Sequence, residues 1–114
     1  MGFEKTKKLW TLALKNKNVE EIVSYYARNF IFKGTFKNKP TKERKELVKY
    51  FNNLTKKVDS VTFLKNNVTL TKNNITVDSG NYNFRTKEGV IKASYIFNFD
   101  KDGKIISHVS NLRD

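Results

Sequence analysis

The chain has 114 residues, enough for one domain that buries roughly two thirds of its unfolded surface. With 38% hydrophobic residues, 13% aromatics and no cysteine, it reads as a packed globular domain, which excludes a disulfide framework and a thiolate metal site. The net charge of +12 comes from 19 lysines against four arginines, beside 14 asparagines. Such a lysine and asparagine surplus is what AT-rich coding produces, and the lysines stand singly or in pairs. Arginine, which supplies most bidentate contacts to bases and phosphates, is scarce. The expectation for nucleic acid is therefore weak, non-specific attraction only. No apolar run approaches the ~18 residues of a membrane span. The opening "MGFEKTKKLW" lacks a signal-peptide apolar core. The expected setting is cytoplasmic, with no membrane.

In chain order, "FEKTKKLWTLALK" places Phe3, Trp10, Ala13 and Leu14 on one helical face, widened by Leu9 and Leu12. "NKN" breaks that helix. Asn18 then caps a second one, with Glu21 at the capping-box position and Val19, Ile22, Val23 and Tyr26 at helical spacing. "NFIFKGTF" predicts a strand ending near Gly34. Pro40 and Thr41 open a third helix, whose stripe is Leu47, Phe51, Leu54 and Val58. After Val58 the period changes. "VTFLKNNVTL", "NITVDSGNYNF", "VIKASYIFNF" and "KIISHVSNL" are β-rich, separated by turn-forming residues. No repeat or linker interrupts the chain, so residues 1–114 form a single α+β domain.

Alternation sets the faces of the last two strands. Ile91, Ala93, Tyr95, Phe97 and Phe99 point one way; Lys92, Ser94, Ile96 and Asn98 point the other. Past the turn at Gly103, Ile106, His108, Ser110 and Leu112 share the inner face, while Ile105, Ser107, Val109 and Asn111 share the outer one. Gly80 predicts a bulge that bends the sheet. A bent sheet closed by helices makes a cone, and such interiors often hold ligands. The expected pocket is lined by Trp10, Tyr26, Tyr82, Tyr95, His108 and Ser110.

Two helices, a strand, a helix and a curved meander resemble the nuclear transport factor 2-like (NTF2-like) superfamily, also called the SnoaL-like cone fold. Within it, the chain is similar to the association domain of calcium/calmodulin-dependent protein kinase type II and its stand-alone bacterial relatives. The matching stretches are "LWTLALKNKNVEEIVSYYARNFIF", "ELVKYFNNL", "DSGNYNF" and "IKASYIFNFDKDGKIISHVSN". Two places depart from the group. Its Ala-Arg-Tyr reads Ala93-Ser94-Tyr95 here, so an arginine is missing. Its His-His-Ser-Ser reads His108-Val109-Ser110-Asn111. The resemblance implies a cystatin-like cone and pairing through the sheet.

The superfamily also contains ketosteroid isomerase, which needs a carboxylate base and oxyanion donors. The resemblance lays that base near Gly34, where no carboxylate exists. The donors fall at Trp10 and Tyr95. That proton transfer has no base here. His108 is the remaining candidate general base; its bland alternative is a core histidine bonded to a tyrosine. One histidine without cysteine leaves only carboxylates as further metal ligands, so no metal and no cofactor are expected. Asp78 could face the interior.

Two readings follow. One is a non-enzymatic small-molecule-binding or oligomerisation domain. The other is a SnoaL-like isomerase, cyclase or hydrolase acting on a small apolar substrate with His108 as base. For assembly, Ile96, Ile105, Val109 and Val90 on the outer face predict a homodimer.

Overall fold

The computed structural model describes residues 2–113. Helix α1 (Phe3–Lys15) buries Thr6, Trp10, Ala13 and Leu14, the spacing of a single helical face. Leu12, expected to widen that stripe, is instead 52% exposed. Helix α2 (Val19–Ser24) is capped as predicted, with the Asn18 side chain accepting from the Glu21 backbone N–H. Tyr26 is not on this helix. Strand β1 (Tyr26–Lys33) starts at it and turns its ring into the core.

Helix α3 (Arg44–Lys57) begins later than Pro40–Thr41 predicted. The physical reason is pairing. The Thr41 backbone exchanges both hydrogen bonds with Phe32, at 2.9 and 2.7 Å, and so stays extended. The helix buries Leu47, Tyr50, Phe51 and Leu54, while Val58 opens the next strand.

The remaining strands are β2 (Val58–Phe63), β3 (Val68–Lys72), β4 (Ile75–Thr86), β5 (Gly89–Phe99) and β6 (Ile105–Leu112). Their order is β1-β6-β5-β4-β2, with β3 also on β4. All pairings are antiparallel except β1 with β6. Asn73 and Asn74 both have positive φ, of 54° and 65°, and form the tight turn between β3 and β4. One edge of β4 is shared, by β3 over its first half and by β2 over its second.

Two expectations about register are corrected. Gly80 carries no bulge in the β4–β5 ladder, where it sits opposite Tyr95 without a shift. Its small size serves a close approach instead, since a Cβ there would lie 3.0 Å from the Asn67 Cα. The shift falls between Asn98 and Phe99, which face Ser107 and Ile105, leaving Ile106 as the extra residue. That residue reverses the parity before it. Ile105 therefore points inward and is 1% exposed, not on the outer face.

Helices and sheet close on a core of Trp10, Leu14, Ile22, Phe32, Phe51, Tyr82, Phe97 and Phe99. The fold is α+β: helices packed on a six-stranded mixed sheet. Among the described residues, no helix is long and apolar enough to cross a membrane.

Candidate functional site

His108 reaches the inner face of β6 by the alternation that also buries Ser110, and both are nearly inaccessible. Two tyrosine hydroxyls bond it, and the hydroxyls of Ser110 and Thr35 extend the cluster. Tyr26, first residue of β1, places its hydroxyl 2.8 Å from Nδ1. Tyr82, on β4, places its hydroxyl 3.0 Å from Nε2 and 2.7 Å from the Ser110 Oγ. Thr35, just past β1, lies 2.6 Å from the same Ser110 oxygen. Ser110 donates to the Ser94 carbonyl at 3.1 Å.

These contacts assign the protons. With its own proton on Ser94, Ser110 accepts from Tyr82 and from Thr35. Tyr82, having donated to Ser110, must accept from Nε2–H. Nδ1 is then an acceptor, and Tyr26 donates to it. His108 is a neutral imidazole with both nitrogens engaged. Burial drives its pKa down from 6.5 to about 3, because the interior disfavours the charged ring. Burial likewise raises the Tyr26 and Tyr82 hydroxyls well above the ordinary tyrosine value. The Trp10 indole N–H makes no well-formed hydrogen bond, yet it faces Tyr26 and offsets part of that rise.

The aromatic walls are continuous. Trp10 stacks on Tyr82 at 6.4 Å and meets His108 edge-on at 5.8 Å. Phe97 stacks on the imidazole at 4.1 Å, and Tyr82 stacks on Tyr95 at 4.9 Å. Trp10, Tyr26, Tyr82, His108 and Ser110 thus come together. Tyr95 joins them only through its ring. The space left beside His108 is about 10 Å³, the size of a single water at most.

The Tyr95 hydroxyl belongs to a second cluster. It donates to Asp78 Oδ2 at 3.0 Å, beside the Lys7 ammonium at 2.8 Å. Asn67 and Thr69 donate to Oδ1 at 2.6 and 3.0 Å. Asp78 is fully buried. Burial alone would raise its pKa, but Lys7, Asn67 and Tyr95 together outweigh that and lower it. Lys7 also sits 4.4 Å over the Phe63 ring. Sequence reasoning did not single out Lys7, Asn67, Thr69 or Thr35. For Lys7 a signal existed: it lies three residues before Trp10, on the same helical face. Among the described residues, no three of His, Asp and Glu are placed to hold a metal ion.

No family model matches the chain, and no curated protein does. Solved structures do. A candidate calcium/calmodulin dependent protein kinase II association domain from Xanthomonas campestris superposes with TM-score 0.79 at 27% identity, covering 91% of this chain and 80% of that one. A protein of unknown function with a cystatin-like fold from Nostoc punctiforme gives TM-score 0.78 at 13% identity, covering 96% and 87%. A steroid delta-isomerase from Pseudomonas aeruginosa gives 0.72 at 14% identity, covering 98% and 80%; at that identity the likeness is of fold alone. The chain has the NTF2-like fold and, within that superfamily, resembles the calcium/calmodulin-dependent protein kinase II association-domain group.

Proposed function

We propose that this chain is a cytoplasmic, non-enzymatic association domain that forms a homodimer through the outer face of its sheet. The observation that carries the reading is the contrast between the two faces. Inside, the cone is filled and its one histidine is bonded at both nitrogens. Outside, the register aligns Val68, Ser79, Ile96 and Val109 across four strands, with Leu70, Val77, Asn98 and Ser107 in the next row. Ile31 lies opposite Ser107 and extends that second row onto β1. Val68, Leu70, Ile96 and Ile31 are 68, 66, 48 and 41% exposed.

Such a band of branched side chains normally marks an interface. Over β3, β4, β5 and β6 the two rows hold no charge; Lys33, opposite Val109 on β1, stands at the edge of the band. A closed two-fold dimer is the commonest solution for one self-complementary patch. The Xanthomonas structure, described as an association domain, supports the same role. Ile105, once expected on this face, takes no part, and Val90 lies at its hairpin end.

The enzymatic alternative needs His108 as a base. A base needs a free lone pair; here Tyr26 occupies it. Nucleic acid enters the proposal only as weak attraction that salt abolishes.

Light scattering at micromolar concentration tests association. A dimer is expected, split by Val109→Lys with the fold retained. A monomeric wild-type chain would contradict the proposal.

A further inference from the structure

Strand β3 is exposed along its whole length, from Val68 to Lys72. Among the described residues it pairs with β4 alone, so its other edge has no partner strand. The hairpin geometry says which groups stand on that edge. Asn73 and Asn74 form a two-residue turn with positive φ at both positions, so Lys72 and Ile75 exchange both backbone hydrogen bonds. Bonded and non-bonded pairs alternate along an antiparallel ladder. Lys72, Leu70 and Val68 therefore turn their N–H and C=O groups to β4, while Thr69 and Thr71 turn theirs to the open edge. The Thr71 and Thr76 hydroxyls, 2.9 Å apart across the ladder, fit a close non-bonded pair. Natural edges are guarded by proline, a bulge or charge. At the far end of the sheet, Thr41 bridges Phe32 and covers part of β1. The β3 edge has no such guard: its ladder with β4 is unshifted, and Val68 to Thr71 hold neither proline nor charge.

We propose that the open edge of β3 pairs with the same edge of a second copy, joining two sheets into one. The edge is self-complementary, as a closed two-fold contact requires. A two-fold axis through Leu70 sets Thr69 of each copy opposite Thr71 of the other, and each such pair exchanges both backbone hydrogen bonds. No other two-fold register pairs both open residues within the strand. Leu70 then meets its own counterpart on the axis, and Val68 faces the partner's Lys72. Charge does not oppose this: at about 3.4 Å per residue, the two Lys72 Cα atoms stand about 14 Å apart, beyond the Debye length of about 10 Å at 0.1 M salt. The row that runs through Leu70 and Val77 continues across the axis into its copy, so edge pairing widens the apolar outer face rather than competing for it. A strand this short buries less than the face contact, so edge pairing adds to the dimer only as concentration rises. It uses a different surface from the face contact, and neither requires the other.

Disulfide trapping tests the pairing cleanly, because the chain has no cysteine. Every variant also carries Val109→Lys, which removes the face contact. Opposed residues of a non-bonded pair have Cα atoms about 4.5 Å apart, within disulfide range. In a glutathione redox buffer, Leu70→Cys is expected to cross-link about tenfold faster than Val90→Cys, a similarly exposed hairpin position. Mixing Val68→Cys with Lys72→Cys should give the mixed dimer. Neither should cross-link with itself, since those self-pairs stand about 14 Å apart. Thr71→Pro removes an open N–H while sparing the β4 ladder, and should bring Leu70→Cys down to the control rate. If Thr71→Pro disorders the strand, the mixed pair decides. Leu70→Cys at the control rate would overturn the proposal, and is the result for an edge that takes a strand of another protein. Self-linking of Val68→Cys would overturn it too, because the axis would then lie elsewhere.

Discussion

The hydroxyl of Tyr26 donates to Nδ1 of His108 across 2.8 Å of sealed core. That bond ties the first residue of β1 to the middle of β6, 82 positions away. It joins strands that also pair in parallel, so the bond secures the sheet while occupying the lone pair that general-base catalysis would require.

Stability should fall in acid. The folded pKa of His108 is depressed to about 3 from an ordinary 6.5, so the folded state resists the proton that the unfolded chain accepts. The contribution is complete above pH 6.5 and is lost as pH falls below it, at about 1.4 kcal/mol per pH unit. Asp78, whose pKa is also lowered, adds its loss only below the ordinary carboxylate range. Urea midpoints measured from pH 7.5 to 4 should show this slope, and His108→Gln should flatten its upper part. A wild-type profile level between pH 6.5 and 4.5 would refute the neutral buried ring.

The two tyrosines on the imidazole should differ from the third. Tyr26→Phe leaves Nδ1 without a donor, and Tyr82→Phe leaves Nε2–H without its acceptor and Ser110 Oγ without one of its donors; each should cost about 1–3 kcal/mol. Tyr95→Phe leaves Asp78 three other partners and should cost only about 1 kcal/mol. Chemical denaturation of the three variants orders them. Equal losses at Tyr82 and Tyr95 would mean that the proton assignment is wrong.

Removing the Lys7 charge should be worse than its helix-surface position suggests. Lys7→Met leaves a fully buried carboxylate without its cation, and breaking such a pair costs about 3–5 kcal/mol. The lower end applies, since the Lys7 side chain keeps 15% exposure. The paired change Lys7→Met with Asp78→Asn should recover part of the loss. A double variant no more stable than Lys7→Met alone would contradict the coupling.

Much of the cone was legible because it rests on periodicity. Trp10, Ala13 and Leu14 follow a helical face, and Tyr95, Phe97 and His108 follow a strand face, so their burial could be read directly. What failed was local geometry that tertiary pairing decides. Thr41 bonds to Phe32 and delays α3. Tyr26 has helical spacing, yet joins β6 through β1. The bulge at Ile106 has no glycine to announce it, whereas Gly80 makes room for Asn67 without one. Within the candidate site, the aromatic members were legible and the filling of the cone was not. Closure depends on Tyr50 lying against Gly34, a contact between a helix and a loop that no spacing rule encodes.

The central claim is that His108 is a structural group rather than a base, and the chain's single histidine makes a direct test possible. Long-range ¹H–¹⁵N correlation spectra of the imidazole, recorded from pH 8 to pH 5, report tautomer and charge together. A neutral ring bonded at both nitrogens gives one unchanging set of resonances, with the proton on Nε2 and no titration while the chain stays folded. A titration centred near pH 6.5, or a proton resident on Nδ1, would contradict it.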